Sequence, residues 1–225
     1  MSVAIQTITS RSRSHNDELG SENGFAIFNF YKNRENMPRP NFVNEKLNIA
    51  AMIRVDHAGE YGAKRIYEGQ IKFANKIQDA RLYAIMLDQE QKHLDYFNYE
   101  LIARRVRPTI LMPFWHLGGY ILGMLSSIAG PKFAMLVTQG VEEVIEEHYR
   151  QQLIELKNQD NYSIDENNLI SHIEQFMFDE VEHKEIAVTF QQKFPANSEH
   201  IEYNQIISNM IKKICMLAIY LSKKI

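Results

Sequence analysis

The sequence predicts an all-α fold, a helical bundle, and three observations carry that prediction. From about residue 44 onward, apolar residues recur every three or four positions through most of the chain. No stretch alternates in the manner of a strand hairpin. The periodic runs are separated by Pro108, Pro131, Pro195 or polar stretches, the marks of helix ends. The bulk numbers agree. The chain has 225 residues, 45% apolar and 24% charged, with net charge −3. That is long enough to bury a substantial core, and it has no clustered basic face for nucleic acid. The one cysteine, Cys215, excludes an internal disulfide and a cysteine-based zinc or iron–sulfur site.

Taken in order, residues 1–42 are expected to be a disordered N-terminal segment and 43–225 the folded domain. The first sixteen residues carry Arg11 and Arg13, several Ser and Thr and no acid. They read as a mitochondrial transit peptide or as the polar N-terminus of a bacterial chain. A first helix is predicted over roughly 44–76, its stripe running Ile49, Ile53, Asp56, Glu60, Ala63, Tyr67, Ile71, Ala74. A second covers roughly 79–105, with Met86, Glu90, His93, Phe97 and Leu101. Residues 108–131 carry no formal charge, yet Pro113 and four glycines interrupt them. At about 1.5 Å per residue, the uninterrupted part falls short of a bilayer core of about 30 Å. With Arg104, Arg105, Arg107 and Lys132 on its flanks, the segment is expected to lie in an anionic membrane surface rather than cross it; a buried core connection is the other reading. Gly119, Gly123 and Ser127 repeat every fourth position and offer a smooth face for close helix contact. A third bundle helix follows Pro131, with Met135, Thr138, Glu142, Ile145, Tyr149 and Leu156 on its stripe, and 157–168 is expected to be a loop. A fourth covers roughly 168–193, with Ile173, Phe176, Ala187 and Phe190. A last one, roughly 201–223, is apolar nearly all round and reads as buried.

Polar groups stand in the middle of these apolar stripes, in a repeating order. Glu60 is followed by Glu90-x-x-His93, and Glu142 by Glu180-x-x-His183. Residues at i and i+3 share a helix face, so each Glu-x-x-His aims a carboxylate and an imidazole at one point. Two such helices, and two giving one Glu each, converge six ligands on a bundle axis. That is the ligand arrangement of ferritin-like di-iron and di-manganese proteins. Four unpaired buried carboxylates would cost several kcal/mol each, of order 10 in all; two divalent cations cancel their charge. Carboxylate and imidazole without thiolate suit iron or manganese. Glu143, Glu146 and Glu147 project to another face and are expected to be solvated, while Glu182 and Glu185 also lie off the stripe. Asp56 is expected either to bond a ligating histidine or to form a salt bridge. Tyr67 and Tyr149 read as core tyrosines with a catalytic role as the alternative, and His148 as a surface histidine with proton transfer as the alternative.

The phrases IRVDHAGEYGAKRIYEGQ (53–70), DQEQKHLDYFN (88–98), RVRPTILMPFWHLGGYILG (105–123), VEEVIEEHY (141–149), DEVEHKEIA (179–187) and AIYLSKKI (218–225) together resemble the demethoxyubiquinone hydroxylase family of ubiquinone biosynthesis. The resemblance covers nearly everything from residue 45. It implies a ferritin-like four-helix bundle with two additional apolar helical segments. It also implies a di-iron monooxygenase with Glu60, Glu90, His93, Glu142, Glu180 and His183 as iron ligands. The implied reaction is hydroxylation of the demethoxyquinone ring of a polyprenyl quinone, with O₂ as co-substrate and NADH as electron source. The implied setting is the matrix face of the mitochondrial inner membrane, with peripheral contact through 108–131, or the cytoplasmic face of a bacterial plasma membrane. A lipid-binding accessory protein and other enzymes of the pathway are the implied partners. The alternative function is a ferritin-like iron-storage or ferroxidase subunit, against which the uncharged segment argues.

Overall fold

Among the described residues of the computed structural model (49–158, 163–193 and 198–224) every regular element is a helix. They are α1 (Ile49–Phe73), α2 (Ile77–Ala103), α3 (Met112–Ile128), α4 (Pro131–Lys157), α5 (Ile164–Gln191) and α6 (Ser198–Lys224). The expected N-terminal segment and its boundary near residue 42 lie outside the described residues.

Short connections make antiparallel hairpins of α1 with α2 and of α4 with α5. The pairs join through α1 against α4 and α2 against α5. This is the ferritin-like four-helix bundle. Helices α2 and α4 run the same way, so the chain must travel back along the bundle between them. Helix α3 makes that return, lying along α1 and parallel to it. Its small residues permit the close approach: a Cβ on Gly119 would stand 2.8 Å from the Gly62 carbonyl oxygen, and one on Gly123 would overlap the Ile66 backbone. The Ser127 hydroxyl donates to the Gln70 carbonyl at 2.9 Å. At the α3–α4 corner, Gly130 takes φ +111°, in the region glycine favours, and Pro131 opens α4 at the position where no N–H is needed.

Two expectations are corrected here. Helix α5 begins at Ile164 rather than near 168, because Ser163 and Glu166 form a reciprocal capping box that starts the helix inside the polar run. Helix α6 is not buried all round: Ile206, Met210, Ile214, Leu217 and Tyr220 are exposed. It lies against α4 and α1 on one side only, through Ile211, which packs with Val137, Val141 and Ile66. No described helix is long and apolar enough to cross a membrane. Helix α3, at 17 residues, is about 25 Å long.

Two apolar layers bracket the middle of the bundle. One holds Ile53, Phe97, Tyr149, Leu169, Ile173 and Phe176; the other holds Tyr67, Tyr83, Met86, Met135, Ala187 and Phe190.

Candidate metal centre

Between those layers sit Glu60 from α1, Glu90 and His93 from α2, Glu142 from α4, and Glu180 and His183 from α5. None is more than 1% exposed. Their donor atoms form two groups. Glu60, Glu90, His93 and Glu180 bring one atom each to within 4.8 Å of one another, and so do Glu90, Glu142, Glu180 and His183. Glu90 and Glu180 belong to both. Helical spacing put these six on the stripes; the antiparallel pairing of α1 with α4 and of α2 with α5 brings the stripes to one level.

Each donor is held from behind. The Tyr149 hydroxyl donates to Glu60, and the Tyr67 hydroxyl to Glu142 Oε1 at 2.6 Å. His93 Nε2 lies 3.1 Å from Asp179 Oδ2, and His183 Nε2 lies 2.9 Å from Gln89 Oε1. These acceptors place the imidazole proton on Nε2 and turn the Nδ1 lone pair inward. Glu60 and Glu142 stand at matching points of the two halves, and so do Tyr67 and Tyr149. Each half supplies the tyrosine that holds the other's glutamate. Gln89 and Asp179 immediately precede the glutamates of the two Glu-x-x-His pairs, and each holds the histidine of the opposite pair.

The inward atoms have no such partners. Glu60 Oε2, Glu142 Oε2, both oxygens of Glu90 and of Glu180, and Nδ1 of His93 and of His183 are buried without a hydrogen bond. Nδ1 of His93 approaches Glu60 Oε2 at 3.3 Å and Glu180 Oε1 at 3.2 Å, near enough for charge attraction but not aligned as a bond. Burial, together with Glu180 and Glu60, pushes the Glu90 carboxyl well above its usual range. Burial, with Glu180 and Glu90, does the same to Glu142. For Glu180, burial pulls upward but His183 and His93 outweigh it, and its carboxyl lies below the usual range. Burial opposes charging of His93, yet Asp179, Glu180 and Glu60 outweigh it and raise the imidazole. His183 is raised in the same way, Glu180 and Glu142 overcoming burial. Without cations, protons must balance four buried carboxylates. Orphaned oxygens and imidazole nitrogens, facing one another in two overlapping groups, are donors that could hold metal ions.

The neighbours correct several expectations. Of the two readings of Asp56, the ion pair is the one found: it touches neither His93 nor His183, and its Oδ1 accepts from Gln152 at 2.7 Å and faces His148 Nε2, on another helix, at 3.2 Å. His148 is therefore a partly buried member of that network rather than a surface residue, with 20% of its side chain exposed. Glu146 is not solvated: Arg150 and Lys184 pair with it across α4 and α5. Glu143 pairs with Lys212 of α6 and accepts from Gln139 at 2.8 Å. Glu147 alone of the three is exposed. Tyr67 and Tyr149 are more than core filling, because their hydroxyls bind the donor carboxylates. Asp179 and Gln89 escaped the sequence reading, although their places next to Glu180 and Glu90 were a visible signal.

A family model described as "Ubiquinone biosynthesis protein COQ7" matches residues 47–222. A Dictyostelium discoideum protein named NADPH-dependent 3-demethoxyubiquinone 3-hydroxylase, mitochondrial, is 39% identical over 79% of this chain and 77% of its own length. The Homo sapiens protein of the same name is 38% identical over 79% of this chain and 78% of its own. A Rhodospirillum rubrum protein named 3-demethoxyubiquinol 3-hydroxylase is 34% identical, also over 79% and 78%.

Proposed function

The chain belongs to the ubiquinone biosynthesis protein COQ7 family, and on that premise we propose how its bundle serves the reaction. The protein is a monooxygenase that hydroxylates the demethoxyquinone ring of a polyprenyl quinone intermediate in ubiquinone biosynthesis. The iron-storage alternative gives way to this reading, since the relatives are named hydroxylases.

The observation that carries the site assignment is the pair of four-donor groups sharing Glu90 and Glu180. Glu60, Glu90, His93 and Glu180 would hold one iron ion, and Glu90, Glu142, Glu180 and His183 the other. Iron bound there would supply the activation of O₂, with one oxygen atom going to the ring carbon and the other leaving as water after uptake of two electrons and two protons. The protein's own part is positional and electrostatic. Tyr67 and Tyr149 keep Glu142 and Glu60 aimed inward. Asp179 and Gln89 hold the protons on Nε2 of His93 and His183, leaving Nδ1 free to bind. The two apolar layers exclude water from the reacting centre.

For the electrons we take a reduced nicotinamide nucleotide. The family resemblance implies NADH, while the Dictyostelium and human relatives are named for NADPH. The sequence contains no Gly-x-Gly-x-x-Gly. We place the protein in mitochondria, peripheral to the inner membrane, with 43–225 as the catalytic domain. Phe114, Leu117, Ile121, Leu125 and Ile128 form one exposed stripe on α3, and Phe114 is 69% exposed. That stripe would rest on the lipid in which the quinone's tail is dissolved, or on the lipid-binding accessory protein. Trp115 and Leu122 face inward: Trp115 bonds Ser222 at 3.2 Å, and Leu122 packs against the cluster of Ile66, Val137, Val141 and Ile211.

The test is complementation of a strain that accumulates the demethoxy intermediate, with quinones read by mass spectrometry. The unmodified chain restores ubiquinone, while Glu142→Ala and His183→Ala do not. Failure of the unmodified chain would overturn the function, and restoration by both variants would overturn the metal assignment.

A further inference from the structure

The two metal positions have the same inner donors in kind: one glutamate of their own, one histidine and two shared glutamates. Their own glutamates also match, each receiving one tyrosine hydroxyl. The symmetry breaks one layer out. The Nε2–H of His93 donates a hydrogen bond to a carboxylate, Asp179, whereas that of His183 donates to a neutral amide oxygen, Gln89 Oε1. Asp179 is fixed in that role, because its other oxygen accepts from the Gln175 amide at 3.1 Å. A carboxylate behind an imidazole adds a full negative charge close to the cation and makes the ring a stronger donor; an amide supplies only a dipole.

We propose that the two positions are unequal, and that Asp179 makes the Glu60–His93 position the tighter one and the first to fill with a divalent cation. Asp179 and Gln89 are positioning residues that act through the histidines. The inference rests on the metal assignment above and extends it to the order of loading. Outer partners of this kind alter affinity by about 10–100-fold, and that is the difference expected between the positions.

The shared glutamates couple the two ions, so the test uses half-sites in the full-length chain. His183→Ala keeps the Glu60–His93 position and His93→Ala keeps the other. Each metal-free variant is titrated anaerobically with Co(II), read by its visible absorption, and with Mn(II), read by electron paramagnetic resonance. Circular dichroism confirms the helix content. The His183→Ala half-site should bind about 10–100-fold more tightly. Adding Asp179→Asn to it should abolish the advantage, and adding Gln89→Glu to the His93→Ala half-site should raise the weaker one to match. Equal half-sites, or an Asp179→Asn change that leaves the tight half-site unaltered, would overturn the proposal while leaving the metal assignment standing. No ion bound by the unmodified chain would overturn the metal assignment itself.

Discussion

At the scale of single residues, function turns on which way each carboxylate faces. Glu142 and Glu143 are neighbours in sequence; one is buried among donors and the other pairs with Lys212. Glu142→Ala should abolish hydroxylation, while Glu143→Ala should keep most activity and cost at most about 1 kcal/mol of stability, as partly exposed ion pairs do. Ubiquinone formed by each variant, measured beside its thermal midpoint, checks both. The same register was readable before any coordinates, because Glu142 falls on the stripe of Met135, Thr138 and Tyr149. The partners that Glu146 and Asp56 find across the bundle were not readable. Lys184 and His148 reach them from other helices, and a one-dimensional period carries no information about what a neighbouring helix brings. Cys215 gives a separate check. Burial, with the Glu142 charge, pushes its thiol up to about 12. Thiolate is the reactive form, so at about pH 8 iodoacetamide should modify the folded protein slowly and the denatured protein fast.

At the scale of elements, α3 shows how small residues become structure. The four-residue repeat of Gly119, Gly123 and Ser127 announced a close contact, and α1 is the helix it meets. A side chain at Gly123 must displace the Ile66 backbone rather than a flexible side chain. Gly123→Ala should therefore destabilise by about 1–3 kcal/mol, the range of overpacked contacts, seen as a lower urea midpoint. Gly118→Ala on the same helix meets nothing within 4 Å and should not destabilise. Helix α5 offers a milder case: Ser163→Ala removes the capping hydroxyl and should cost about 1 kcal/mol. The misplaced start of α5 came from reading its polar first turn as loop. The Ser-x-x-Glu signal was present, but the composition around it was that of a turn. Helix α6 was misjudged for the opposite reason, since apolar composition does not say whether a face meets protein or something else.

At the scale of the whole molecule, the bundle buries four carboxylates and two imidazoles at its centre. Stripping the metal should lower the thermal midpoint, and restoring Fe(II) or Mn(II) anaerobically should raise it as ligand concentration grows. The metal-free protein should also lose stability as pH rises. Glu90, Glu142, His93 and His183 all hold protons more tightly folded than unfolded. Their contribution is whole below the ordinary values of 4.5 and 6.5, and it fades as pH climbs through the raised ones. Glu180, shifted the other way, adds an opposing trend at the acid end. The loaded protein should show the reverse slope through neutral pH, because cations bind the deprotonated donors. Parallel melts of both forms across pH would reveal a shared slope if these groups do not govern stability. The sequence by itself determined the helices, the face that each donor occupies and the family to which the chain belongs, because periodicity and motif are properties of one strand of residues. Only the tertiary structure decided that Glu90 and Glu180 stand in both donor groups, and that each half's tyrosine and outer acceptor serve the opposite half. It also decided that one histidine is backed by a charge and the other by an amide. Those are relations between helices, set by antiparallel pairing in space.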